Sequence, residues 1–125
     1  YRQQGKVTNL VGATPAKVCD MPRRTNIRLV FQRRLKQARL AQELSQKDLG
    51  IKAGLDPFVA STRVNRYEKG IHEPDMATVG RLAVALKVPP AYLFTEDERL
   101  ARMILAFEQL SSTEKDQLLS SLEKP

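Results

Sequence analysis

From residue 25 onward, apolar positions recur at helical spacing. In "IRLVFQRRLKQARLAQ", Ile27, Phe31, Leu35 and Ala38 share one face, while Arg28, Arg33, Arg34 and Arg39 fall largely elsewhere. That pattern predicts an amphipathic helix with a basic outer face, opened by Thr25 or Asn26 as its N-cap. Ser45 then opens "SQKDLGIKA", with Asp48 three residues on and Leu49 and Ala53 at i, i+4 spacing. A second, short helix should therefore end at Gly54. Helical spacing returns before Tyr67, and Gly70 closes that element. "HEPD" forms a turn in which Pro74 disfavours helix at Glu73 and Asp75 can cap the next helix. "MATVGRLAVALKV" places Val79, Leu82, Ala83 and Leu86 on one face of that fourth helix, and Pro89-Pro90 breaks it. "PAYLF" reads as a short fifth helix or a turn whose aromatic rings fill the core.

Two further helices complete the pattern. "EDERLARMILAFEQL" repeats apolar residues at Leu100, Met103, Ile104, Phe107 and Leu110, with acids in its first turn where the helix dipole favours them. "SSTEKDQLLSSL" starts with Ser111 and Glu114 at capping-box spacing and carries Leu118, Leu119 and Leu122 as a stripe. It should fold back on the preceding helix as a hairpin. Sustained strand alternation is absent from the sequence, so the fold class is all-α. Residues 1–24 show no helical period and only a short apolar patch at Val7, Leu10 and Val11. They read as a flexible arm. Met21, followed by "PRRTN", is a candidate natural start, which would make residues 1–20 a remnant or an upstream extension. The expected organisation is an arm (1–24), a helical domain (25–95) and a C-terminal helical extension (96–125).

Charge sharpens this picture. The 125-residue chain has a formal net charge of +7, which makes a polyanion such as nucleic acid, or an acidic membrane surface, a plausible partner. Residues 21–70 carry twelve Lys or Arg against four Asp or Glu, whereas residues 96–125 carry four against seven. The chain has a basic half and an acidic end. The single cysteine, Cys19, cannot form an intramolecular disulfide, and His72 is the only histidine, so no zinc spacing exists and no metal or cofactor is expected. Neither a transmembrane span nor a signal peptide is read from the sequence. The expectation is a cytoplasmic protein that does not engage a membrane.

Two short helices joined at a glycine turn, the second rich in short polar and basic side chains, have the outline of a helix-turn-helix DNA reader. The segments "LSQKDLGIKAGLD", "RVNRYEKGIHEPD" and "RLAVALKV" resemble the lambda-repressor-like, or XRE, family of bacterial and phage transcription regulators, over roughly residues 27–94. The resemblance implies a bundle of five short helices, here with an added C-terminal helical hairpin, acting as a dimer on a two-fold operator. It implies a backbone-phosphate contact for Gln46, and recognition-helix roles for Ser61, Thr62, Asn65 and Arg66. It also puts Lys69, and the backbone near Gly70 and Ile71, against the DNA backbone. Helical geometry agrees, since Val64 and Tyr67 are one turn apart and turn the other four residues outward. Arg can read guanine and Asn adenine, while Ser and Thr suit bases or phosphates.

Each role has a plainer counterpart: a solvated charge for Arg66, helix capping for Ser61 and Thr62, a solvated tail for Arg23 and Arg24 instead of a phosphate-touching arm. Arg63, nearer the flank, is a phosphate candidate. Glu68 reads as the intramolecular partner of a first-helix arginine such as Arg28 or Arg34. The chain departs from the family pattern in "DPFVA", which adds about four residues, close to one helical turn. Asp56 as N-cap with Pro57 at the first helical position starts a helix well, so the favoured expectation is a recognition helix over 57–69, one turn longer than usual. The alternative is a lengthened turn over 56–60, with Ser61 as the cap. Phe58 and Val59 need cover in either case.

Enzyme motifs are missing: there is no glycine-rich phosphate loop, no Cys-His pair and no hydrolase motif. The function expected is a sequence-specific DNA-binding regulator, a repressor, acting as a homodimer on double-stranded DNA. The C-terminal stripe of Leu100, Met103, Ile104, Phe107, Leu118 and Leu122 serves either dimerisation or simple intramolecular packing. The rival is an antitoxin or adaptor working through a protein partner. An outward face of Thr62, Asn65 and Arg66 speaks for DNA, and an exposed patch of Phe58 and Val59 for the protein partner.

Overall fold

The computed structural model describes residues 25–124. The arm expected over 1–24, with Arg23 and Arg24, therefore lies outside the described residues. Within them every regular element is a helix: α1 Ile27–Ala41, α2 Gln46–Lys52, α3 Ala60–Lys69, α4 Met76–Leu86, α5 Pro90–Leu93, α6 Glu98–Glu108 and α7 Ser112–Leu122. The first five form the bundle, and α6 and α7 add the C-terminal hairpin.

Local chemistry sets the boundaries. Side-chain oxygens of Asn26, Ser45 and Asp75 accept from the backbone N–H of Leu29, Asp48 and Thr78 at 3.4, 3.0 and 2.8 Å. Asp97 caps α6 in the same way, and Ser111 with Glu114 forms a full capping box on α7. Each such cap satisfies an otherwise orphaned donor and stabilises its helix by about 1 kcal/mol. Gly70 ends α3 at φ 75°, and the N–H of Ile71 closes back on the carbonyl of Arg66 at 2.9 Å.

The predicted apolar faces meet in one core. It contains Phe31, Leu35 and Ala38 of α1, Leu49 of α2 with Ala53 at its C-cap, Val64 and Tyr67 of α3, and all four predicted positions of α4. Tyr92 and Leu93 close it from α5, and the Phe94 ring stacks on Phe31 at 5.5 Å between centroids. Ile27 departs from the expectation and stays about half exposed.

The larger correction concerns the basic face of α1. Arg34 and Arg39, expected on its outer side, are both buried. Four of the five N–H donors of the Arg34 guanidinium are met inside the protein. It donates to the carbonyls of Thr95 and Glu96 at 2.8 and 3.0 Å, to Gln37 Oε1 at 2.9 Å and to Glu98 Oε1 at 2.8 Å. Its planar group also lies 5.4 Å from the centre of the Tyr92 ring. This one side chain ties the start of α6 to α1.

The pairing gives a pH dependence. Hydrogen bonding to Arg34 holds the Glu98 carboxyl below its ordinary value, helped by the charges of Arg34, Arg102 and Arg33. At Asp75 the cause is the hydrogen bonds from Thr78, with Arg81 and Arg63 adding to them. A carboxyl held lower in the folded than in the unfolded chain stabilises the fold above the unfolded value, and that stability is lost as pH falls through the folded one. Urea midpoints should therefore be flat near neutrality and decline through and below the ordinary carboxylate range. Glu98→Gln should flatten part of that decline.

The added hairpin is sparsely packed. Ala101 is the one fully buried residue of α6, Ile104 and Leu105 rest partly on the core, and α7 buries none of its residues. Leu100, Met103, Leu119 and Leu122 remain exposed. No helix among the described residues is long and apolar enough to cross a membrane.

Candidate nucleic-acid interface

The site is built on the α2–α3 pair. Their crossing is close because Gly50 has no side chain: a Cβ placed there would stand 2.6 Å from Ala60 Cβ and 3.0 Å from its Cα. Gly50 is not marked out by the sequence, where a glycine inside a helix carries no sign of what it faces. Beyond the crossing, Leu55 and Ala60 are both buried and pin the two ends of the connecting segment.

Between them the expected longer helix does not form. Asp56 Oδ1 accepts from the N–H of Phe58 at 2.9 Å, and its carbonyl accepts from Val59 at 3.0 Å, as at a helix start. Val59 then turns to φ −121°, ψ 1°, outside helical geometry, and α3 begins at Ala60. The recognition helix is Ala60–Lys69 rather than 57–69, and the extra residues widen the turn. Ser61 does not cap it either, since Val59 occupies the cap position and no side chain bonds there.

Along α3, Val64 and Tyr67 are buried as expected. Ser61, Thr62, Arg63, Arg66 and Lys69 are exposed, and Asn65 is half-buried beside them. Arg63 folds along its own helix: Nη2 donates to the Tyr67 hydroxyl at 2.8 Å and the guanidinium lies 5.9 Å from the centre of that ring. Its remaining N–H donors stay available to an anion.

A buried ionic hub fixes how α3 is presented. Glu68 takes two hydrogen bonds from Arg39, at 2.6 and 3.1 Å, and one from Gln46 Nε2 at 3.1 Å. The first-helix partner is thus Arg39, while Arg28 pairs with Glu73 and Arg34 with Glu98. Arg39 also donates to the carbonyl of Leu44, so α1, the start of α2 and the end of α3 are locked together. Gln46, expected at phosphate, is half-buried in this hub.

With Glu68 neutralised internally, Lys47, Lys52, Arg63, Arg66 and Lys69 are exposed between residues 45 and 70 against Asp48 and Asp56 alone. Among the described residues, no group of three or more His, Cys, Asp or Glu could hold a metal ion. Two hydroxyls, an amide and guanidinium donors on a narrow helix are the side chains that hydrogen-bond base edges and phosphates.

Known proteins agree. A family model described as helix-turn-helix matches residues 35–93, from mid-α1 to α5. The chain is 31% identical over 101 residues to the cryptic phage CTXphi transcriptional repressor RstR of Vibrio cholerae, covering 75% of this chain and 86% of that protein. The chain belongs to the XRE-type helix-turn-helix family. The crystal structure of the transcriptional regulator BswR superposes on this XRE-type chain with a TM-score of 0.69 and 42% identity, over 74% of this chain and 91% of that one. As a member of this family the protein is a DNA-binding transcriptional regulator. Its α6–α7 hairpin lies beyond the segment matched by the family model.

Proposed function

We propose that the protein is a sequence-specific repressor that binds a two-fold operator as a homodimer, with α3 in the major groove. The observation that carries this reading is the outward face of Ser61, Thr62, Asn65 and Arg66, presented by a helix locked from behind through Glu68 and Arg39. Those four residues meet base edges. Arg63, Lys69 and Gln46 meet phosphate, Gln46 through the amide N–H that Glu68 does not use. Repression follows the sense of the RstR relative, a transcriptional repressor. A DNA-reading role implies a cytoplasmic protein.

The second copy docks on the hairpin. Leu100, Met103 and Leu122 are exposed, and Ile104, Phe107 and Leu118 are half-buried beside them. Burying such surface stabilises association at roughly 25 cal/mol per Å² before the cost of docking. Met103→Asp with Leu122→Asp in the full chain should shift sedimentation from dimer to monomer at micromolar concentration. An unchanged dimer assigns the hairpin to intramolecular packing.

One observation favours a second reading, in which the protein acts as an adaptor or antitoxin on a protein partner: Phe58 and Val59 are both exposed. Binding to random-sequence duplex DNA at two salt concentrations separates the two. The DNA reading expects clear affinity at low salt that falls steeply as salt is raised, because phosphate contacts release counterions. No affinity at low salt would sink it.

A further inference from the structure

We propose that Phe58 is a base-reading residue that packs against the 5-methyl group of a thymine at the edge of the half-site, an inference that rests on α3 lying in the major groove. Phe58 is 96% exposed, the most exposed of the large hydrophobic side chains among the described residues. Its ring contributes almost nothing to the core, yet the turn that carries it is well fixed. Asp56 accepts from the backbone N–H of both Phe58 and Val59, Pro57 restricts its own φ, and Leu55 and Ala60 are buried at the two ends. The structure therefore holds an apolar ring in water on a pre-organised turn, directly before the first residue of the reading helix.

The surroundings of the ring select the partner. Val59, 41% exposed, and Pro57 are the other apolar surface of the turn. Beyond them α3 presents the Ser61 and Thr62 hydroxyls and then the Arg63 and Arg66 guanidiniums, all exposed. A protein-docking patch needs contiguous apolar area, which this turn does not extend into α3. A small apolar tip led by one ring, with hydroxyls and cations beyond it, matches the major groove, where the thymine methyl is the one apolar group on the base edges and phosphates line both walls. Because helix-turn-helix proteins enter the groove with the start of the recognition helix, Phe58 lies at the leading end, next to the base pair met by Ser61 and Thr62.

The test uses the full chain and a duplex selected with it from a random-sequence library, each thymine being replaced singly by deoxyuridine, which removes only the methyl group. Wild-type protein should lose about fourfold in affinity at one thymine of each half-site, the worth of one buried methyl-sized group. Phe58→Ala should bind the parent duplex more weakly by at least that factor and be indifferent to the replacement, while Arg66→Ala keeps the fourfold response. If Phe58→Ala responds to every replacement as the wild type does, or binds the parent duplex equally well, the assignment of Phe58 is wrong and the ring is left to a protein partner. If Arg66→Ala also binds as the wild type does, it is the placement of α3 that fails. Because the ring is outside the core, Phe58→Ala should fold with an unchanged melting temperature.

Discussion

Glu68→Ala should lower the free energy of unfolding by about 3–5 kcal/mol, the range found when one partner of a buried ion pair is removed and the other stays charged. The Glu68 side chain is 4% exposed and that of Arg39 11%. Truncation leaves the Arg39 guanidinium facing a void where it had two charge-assisted hydrogen bonds, and it deprives Gln46 of its acceptor. Domains of this size are stable by only about 5–15 kcal/mol, so the loss should be plain in a urea titration. The signature is in the double variant. Arg39→Met with Glu68→Leu removes both charges, and it should be more stable than Glu68→Ala alone. If the double variant loses as much as Arg39→Met and Glu68→Leu lose singly, added together, Arg39 and Glu68 do not act as a pair.

Arg34→Met should cost about 1–3 kcal/mol, for a different reason. No buried anion is orphaned, because Glu98 reaches solvent, its side chain being 61% exposed. The cost comes from the half-buried carbonyl of Thr95, which loses its donor at about 1–3 kcal/mol for a group left unsatisfied, whereas the exposed carbonyl of Glu96 keeps Arg33 as a donor at 3.3 Å. Methionine keeps much of the apolar stem, so the comparison isolates the polar loss. All hydrogen-bond partners of Arg34 lie in α1 or between Thr95 and Glu98. DNA affinity of the folded Arg34→Met protein should therefore match the wild type, whereas Glu68→Ala should weaken it. Equal loss of DNA affinity in both would mean that the hub does not specifically present α3.

The elements that local chemistry controls were legible in the sequence. Ser45, Asp75 and Ser111 cap the helices they were expected to cap, Asn26 is one of the two caps considered for α1, and Gly70 ends α3 in the left-handed conformation only glycine adopts freely. The inward seam of Val64 and Tyr67 came from period alone. What failed was decided elsewhere in the chain. Period put Arg34 and Arg39 outside, but partners supplied far along the sequence, at Thr95 to Glu98 and at Glu68, offset the cost of burying them. The α1 segment by itself holds no trace of those partners.

The Asp56-Pro57 start failed for a subtler reason. An aspartate before proline satisfies the same first hydrogen bonds in a single isolated turn as at the head of a helix. Whether the turn propagates was settled at Val59, by the need to bring Ala60 against Gly50. Gly50 and Phe58, whose surroundings the sequence does not reveal, are both answers to tertiary questions: one lacks a side chain where another helix passes, the other is left outside the core.

The most direct measurement is to select bound sequences from a random duplex library with wild-type protein and with Arg66→Ala, and to compare base preferences position by position. The prediction is an inverted-repeat site for the wild type, with Arg66→Ala losing about 1–3 kcal/mol on it and relaxed at one base pair per half-site while keeping its preference elsewhere. Unaltered preferences at every position, or equal loss on all sequences, would contradict the claim that the outward face of α3 reads the operator.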